Sequence, residues 1–258
     1  MDGQRRLGAA LAALVMLLPC AAEARLLLTG RVVDRDSGLP IGGVALRIAD
    51  RKNPAAPLIT IHTQRDGTYW LHVAIDAPLL IAADATPRRY AIFHGLLDAR
   101  GAQSRVATIR LSRLSTDEGA WLRVLNADRA ALHLRPVVMD ETALLAAREH
   151  AHDMAQHAYF AHNNRSGKEP WQRYSLLSGV GGDYENLAIG EGTTWADIEA
   201  AFKAEGPPAR AGVCTHYTTL FNPKAVWAGL AIARGGRAAF QTASGKANYF
   251  DQELIEYP

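Results

Sequence analysis

The sequence predicts two domains, an N-terminal all-β sandwich and a C-terminal α+β half, on three observations. Short alternating segments broken by turn residues fill residues 26–111, with no helical periodicity. Ser115 and Glu118 then have the spacing of a capping box and open the first helical pattern. Beyond them helical stripes come first and strand-like segments after, the order of α+β layers.

Leu28–Asp34 reads as the first strand and Asp36-Ser37-Gly38-Leu39-Pro40 as a turn. Val44, Leu46 and Ile48 alternate with Ala45 and Arg47, as a half-buried strand requires. Asp66-Gly67 separates Ile59–Thr63 from Tyr69–Val73, a two-residue hairpin signal. Leu79–Ala83, Tyr90–Phe93 and Val106–Leu111 complete the strands of this half. In the second half Trp121, Leu125 and Leu132 recur on one face of the first helix. A second helix spans Asp140 to His157, with Leu144, Ala147, Ala151 and Met154 on its core stripe. His150, Asp153 and His157 share its polar flank, read as a solvated face. Thr194 and Asp197 cap a further helix running to Glu205. Strands fit Val213–Leu220, Val226–Ala233, Ala238–Thr242 and Tyr249–Ile255.

The 258 residues carry a net charge of +2, and 48% of them are hydrophobic. That composition supports burial of a core, and without a basic run it speaks against nucleic acid as partner. Arg5 and Arg6, the apolar run Leu7–Leu18 and Ala22-Glu23-Ala24 read as a signal peptide over residues 1–24, which predicts a secreted or periplasmic protein. Lipidation at Cys20 is the weaker alternative, because Pro19 fits a lipobox badly. No later stretch is apolar enough to form a transmembrane segment. Cleavage would leave Cys214 alone, so the fold must stand on its core. The sequence has no G-x-S-x-G, H-E-x-x-H, P-loop or G-x-G-x-x-G pattern, and the corresponding hydrolase, nucleotidase and dehydrogenase readings lose support.

Gly30-Arg-Val-Val-Asp34, Ser37-Gly38-Leu39-Pro40-Ile41 and Arg65-Asp66-Gly67-Thr68-Tyr69 resemble carboxypeptidase regulatory-like, transthyretin-like sandwiches over residues 28–112. Such modules support or bind. Residues 117–255 resemble the CAP superfamily, also called the SCP or pathogenesis-related-1 family. The likeness rests on Leu125-Asn126-Ala-Asp-Arg129, Ala151-His-Asp-Met154, Tyr159-Phe160-Ala-His162, Glu185-Asn186-Leu187-Ala188, His216-Tyr217-Thr218 and Ala228-Gly229-Leu230. It implies an α-β-α sandwich with a cleft tetrad of His162, Glu185, Glu205 and His216. Tyr184 and Thr215 stand where the family has glycine, which alters the cleft rim.

Two converging imidazoles can hold a divalent ion, Zn²⁺ first, with Ca²⁺ or Mg²⁺ as alternatives. His162 and His216 would be its ligands, with Asn186, Tyr217 and Thr218 supporting the cleft. The resemblance implies an extracellular binding or interaction module facing an envelope ligand. A metal-dependent, peptidase-like hydrolase with Glu185 or Glu205 as general base is the alternative. In a third reading the four groups serve only the fold. Cys214 shares strand parity with His216 in this reading, yet is taken as an inert thiol.

Overall fold

The computed structural model describes residues 26–51, 53–73, 78–98, 104–210 and 212–256. The expected signal peptide and Cys20 lie outside them.

Seven strands make up the N-terminal part. They are β1 (Leu26–Asp34), β2 (Ala45–Asp50), β3 (Asn53–His62), β4 (Thr68–Val73), β5 (Pro78–Asp84), β6 (Phe93–Asp98) and β7 (Ser104–Leu111). They form two sheets, ordered β4-β1-β7 and β3-β2-β5-β6. Leu28, Val32, Leu71 and Ile109 from one sheet and Leu46, Ile48, Leu79 and Ile81 from the other share one core. The alternation read in β1, β2 and β4 is the alternation of buried and outward positions. Gly67 holds φ +74° in the expected turn, where a left-handed backbone favours glycine, but the turn does not close the expected hairpin: β3 pairs with β2 and β4 with β1, so the chain crosses there from one sheet to the other. The sixth strand begins at Phe93, and Tyr90 meets only Arg113 in an isolated bridge. There the Tyr90 hydroxyl donates to Asp34 Oδ2 at 2.8 Å, which anchors the residue outside the ladder.

The C-terminal part contains α1 (Thr116–Ala131), β8 (Val138–Met139), α2 (Glu141–His157), α3 (Pro170–Leu176), β9 (Gly182–Gly190), α4 (Trp195–Ala204), α5 (His216–Leu220), β10 (Ala225–Arg237) and β11 (Lys246–Glu256). The capping box at Ser115 and Glu118 is present and starts α1. One mixed sheet, ordered β8-β10-β11-β9, divides the layers. Even-numbered residues of β10 and β11, Ala228, Leu230, Phe250 and Leu254, share a core with Trp121 and Leu125 of α1 and Ile198 and Phe202 of α4. Odd-numbered residues face α2. Small residues let that helix lie close: a Cβ on Gly229 would stand 2.1 Å from the Ala143 carbonyl oxygen.

Three expectations fail here. Leu132 is 45% exposed because it caps the end of α1. Val213–Leu220 is not a strand: Thr215 and Thr218 form a capping box that starts α5 and overrides the β-branched composition. Residues 238–242 are irregular, and β10 runs on to Arg237 instead.

The start of α2 is bound to the N-terminal strands. Asp140 caps it, accepting from the Thr142 and Ala143 amides at 3.0 Å, and its other oxygen meets His94 Nδ1 at 3.0 Å. Glu141, 1% exposed, accepts from Arg35 Nε at 2.6 Å, Ser112 N at 2.6 Å and Ser112 Oγ at 2.8 Å.

Candidate functional site

Glu185 and Asn186 are consecutive in β9, an edge strand, so their side chains leave opposite faces of the sheet. That alternation lets one strand edge support two histidines from different layers. On the α2 side, Glu185 Oε2 lies 2.6 Å from His162 Nδ1. On the α1 and α4 side, Asn186 Nδ2 donates to the His216 carbonyl at 3.1 Å and to Gln252 Oε1 at 2.8 Å. Glu205, just past α4, holds His216 Nδ1 at 2.5 Å and accepts from the Tyr217 amide at 3.4 Å. The His216 ring stacks on Phe202, centroids 4.3 Å apart.

These groups line one open depression of about 550 Å³, together with Cys214, Thr215 and Thr219. His162, Glu185, Asn186, Glu205 and His216 are therefore brought together. Tyr217 and Thr218 stand behind them. The Tyr217 ring packs edge-on against Phe221, and Thr218 completes the cap of α5. Cys214 is free and exposed, in a loop where strand parity with His216 has no meaning.

The two carboxylates differ. The Glu185 side chain is 1% exposed, with one oxygen on His162 and the other bonded to Arg173 Nη2. Glu205 is 37% exposed. Partial burial works to raise the Glu205 carboxyl, but the hydrogen bond from His216 and its charge outweigh this and lower it. The hydrogen bond to Glu185 raises the His162 imidazole against an opposing desolvation. With Nδ1 of each ring committed to a carboxylate, Nε2 is the nitrogen left to a ligand.

Sequence reasoning missed what lies beneath Glu185. Arg173 of α3 donates to the His162 carbonyl at 2.5 Å as well as to Glu185, so it fixes both members of the pair. His150, read as solvated, is 1% exposed, because α3 and residues 161–168 cover that flank of α2. Asp153 and His157 do remain on a half-exposed flank, 2.8 Å apart. Asp183, Asp251 and Glu253 join Glu185 on the same sheet face, Glu253 directly opposite Glu185 in register. Burial pushes Asp183 up to about 6, and Asp251 and Glu253 well above the usual carboxylate range. Two period-two pairs, Asp183-x-Glu185 and Asp251-x-Glu253, were the available signal.

A mixed sheet lies between helical layers, with imidazole–carboxylate pairs gathered at its free edge. Residues 122–250, half of the chain, match the CAP, or cysteine-rich secretory protein, family, and the chain belongs to it. It is 26% identical over 152 residues to the uncharacterized protein YkwD of Bacillus subtilis, a match covering 57% of this chain. The chain spans about half, 54%, of that relative's length. An outer surface protein of Borrelia burgdorferi is similar in structure, with TM-score 0.45 and 18% identity over 56% of this chain and 97% of that one. An extracellular SCP-domain protein of Bacillus anthracis has TM-score 0.41 and 14% identity over 71% of this chain and 58% of that one. Among the described residues no helix is long and apolar enough to cross a membrane.

Proposed function

We propose that the chain is a secreted or periplasmic CAP protein whose cleft binds a divalent ion between His162 and His216 and presents it to an extracellular or envelope ligand. The observation that carries this is the pairing of each Nδ1 with a carboxylate, at 2.6 and 2.5 Å, on the walls of one depression. A carboxylate on one imidazole nitrogen fixes the ring and raises the basicity of the other, the arrangement found behind metal-ligating histidines. The donor set fits Zn²⁺ better than Ca²⁺ or Mg²⁺, which prefer oxygen. Such an ion would supply Lewis acidity toward a carbonyl or a water. The residues at 5–24 support export. The N-terminal sheets, over residues 28–112, are the carboxypeptidase regulatory-like module of this reading, and residues 117–255 the CAP domain. The module holds the start of α2 through Arg35, His94 and Ser112.

One observation favours a hydrolase as the second reading. Glu205 is 37% exposed and its Oε2 has only a long 3.4 Å contact with the Tyr217 amide, so it is the carboxylate placed to accept a proton, whereas Glu185 is buried with both oxygens bonded. Replacing His162 and His216 by alanine tests the main reading: ion uptake is lost while folding is kept. Loss of folding instead would assign the histidines to the scaffold. Turnover of a peptide library that vanishes in Glu205→Gln would select the hydrolase.

A further inference from the structure

The buried face under α2 gathers more ligand chemistry than the cleft does. One ligand-type atom from each of His150, Glu185 and Asp251 lies within 4.8 Å of the other two, the only such set among the described residues. Acidic clusters alone mean little. Here, however, Asp251 is 0% exposed, and both its carboxylate oxygens lack a hydrogen-bond partner. A buried carboxylate left that way is costly unless a proton or a cation joins it. Glu253, also 0% exposed with both oxygens unpartnered, stands in the adjacent row of the ladder. Among the described residues Arg173 is the one guanidinium that reaches these carboxylates, through Glu185 and, at 3.7 Å, Glu253.

The surroundings of His150 sharpen the argument. The Tyr159 hydroxyl gives its proton to Asp153 Oδ2 at 2.5 Å, so toward His150 Nδ1, 3.4 Å away, its oxygen can only accept. With the proton on Nδ1, Nε2 faces the Ala161 carbonyl at 3.0 Å and Glu185 Oε1 at 3.9 Å, acceptor against acceptor, and of the three only Oε1 has a donor, Arg173 Nη2. With the proton on Nε2, Nδ1 and the Tyr159 oxygen oppose each other, and Asp251 still has no donor. A cation among Nε2, Oε1, the Ala161 oxygen and Asp251 satisfies these four groups at once. The 3.0 Å between Nε2 and the Ala161 oxygen is also the spacing of neighbouring ligands on one ion at about 2.1 Å.

We propose that His150 Nε2, Glu185, Asp251 and the Ala161 carbonyl form a second, buried site for a borderline divalent ion of the Zn²⁺ or Mn²⁺ class, oriented by the relay from His150 Nδ1 through Tyr159 to Asp153. It is separate from the cleft histidines and shares only Glu185 with them. An ion there ties α2, the 161 loop, β9 and β11 together, so its role is to rigidify the cleft floor.

The test counts ions in the full chain. Wild type, His162→Ala/His216→Ala and the same double variant carrying Asp251→Asn are incubated with Zn²⁺ or Mn²⁺, dialysed and measured by metal analysis. Circular dichroism confirms folding. The double variant retains one ion per chain, and adding Asp251→Asn removes it. Tyr159→Phe in the double variant keeps the liganding atoms and weakens retention about 10–100-fold. A folded double variant that retains no ion overturns the proposal and leaves protons as the occupants. Retention unchanged by Asp251→Asn overturns it equally. If Asp251→Asn fails to fold, His150→Gln takes its place with the same two outcomes. The cleft reading fails separately, when wild type and the double variant hold equal numbers of ions.

Discussion

Glu141→Ala is the sharpest probe of how the N-terminal sheets and the CAP part depend on each other. Glu141 accepts three hydrogen bonds, from Arg35 Nε, Ser112 N and Ser112 Oγ, at 2.6, 2.6 and 2.8 Å, and it is 1% exposed. Hydrogen bonds to a charged group contribute about 1.5–3 kcal/mol each, though not additively, and the buried Ser112 amide would be left without its acceptor. Arg35 is 33% exposed, so its share is screened and small. The expected loss is about 3 kcal/mol, close to that for breaking a buried ion pair. For a chain of this size that lowers Tm by about 6–12 °C. Urea unfolding followed by tryptophan fluorescence, beside calorimetry, measures it. Trp70 reports on the N-terminal sheets and Trp121 on the C-terminal core. Arg35→Met should cost about 1 kcal/mol, which separates the amide contribution from the ion pair. A loss below about 1 kcal/mol for Glu141→Ala would refute the claim that this contact joins the two parts.

Further outcomes follow from the same packing. Gly229→Ala places a Cβ 2.1 Å from the Ala143 carbonyl oxygen, and backbone cannot step aside cheaply. It should cost about 3 kcal/mol or more in chemical denaturation. Asn186→Ala removes donors to His216 O and Gln252 Oε1, which should cost about 2 kcal/mol and weaken ion binding at the cleft in a Zn²⁺ titration. Glu199 is raised above 4.5 by burial, an effect that the hydrogen bond from Trp121 Nε1 only partly offsets. Its folded carboxyl keeps a proton that the unfolded chain releases, so stability falls as pH climbs from 4.5 through the folded value. Denaturation of Glu199→Gln at pH 5, 6.5 and 8 should lack that part of the slope.

Much of the layout was legible because it rests on local rules. The capping boxes at Ser115 and Thr194 and the stripe through Leu144, Ala147 and Met154 needed no tertiary knowledge, and each element stands where its signal placed it. The turn at Asp66-Gly67 was equally legible, but not that it crosses between sheets instead of closing a hairpin. What stayed hidden was tertiary. The strand β9 escaped notice because Asp183 and Glu185 put charge where a buried strand normally shows apolar residues. His150 read as solvated because a helical wheel cannot show that α3 covers its flank. In α5 a four-residue cap overrode β-branched Thr218 and Thr219. The cleft pairs Glu185–His162 and Glu205–His216 join residues 23 and 11 positions apart. Here the resemblance to a family supplied what spacing alone could not.

The most direct measurement is a calorimetric titration of the chain with Zn²⁺, Ca²⁺ and Mg²⁺, repeated on His162→Ala/His216→Ala. The cleft account predicts that Zn²⁺ binds tightest and that the variant, folded as before, has one Zn²⁺ site fewer. Equal site number and equal affinity in the two proteins would contradict it.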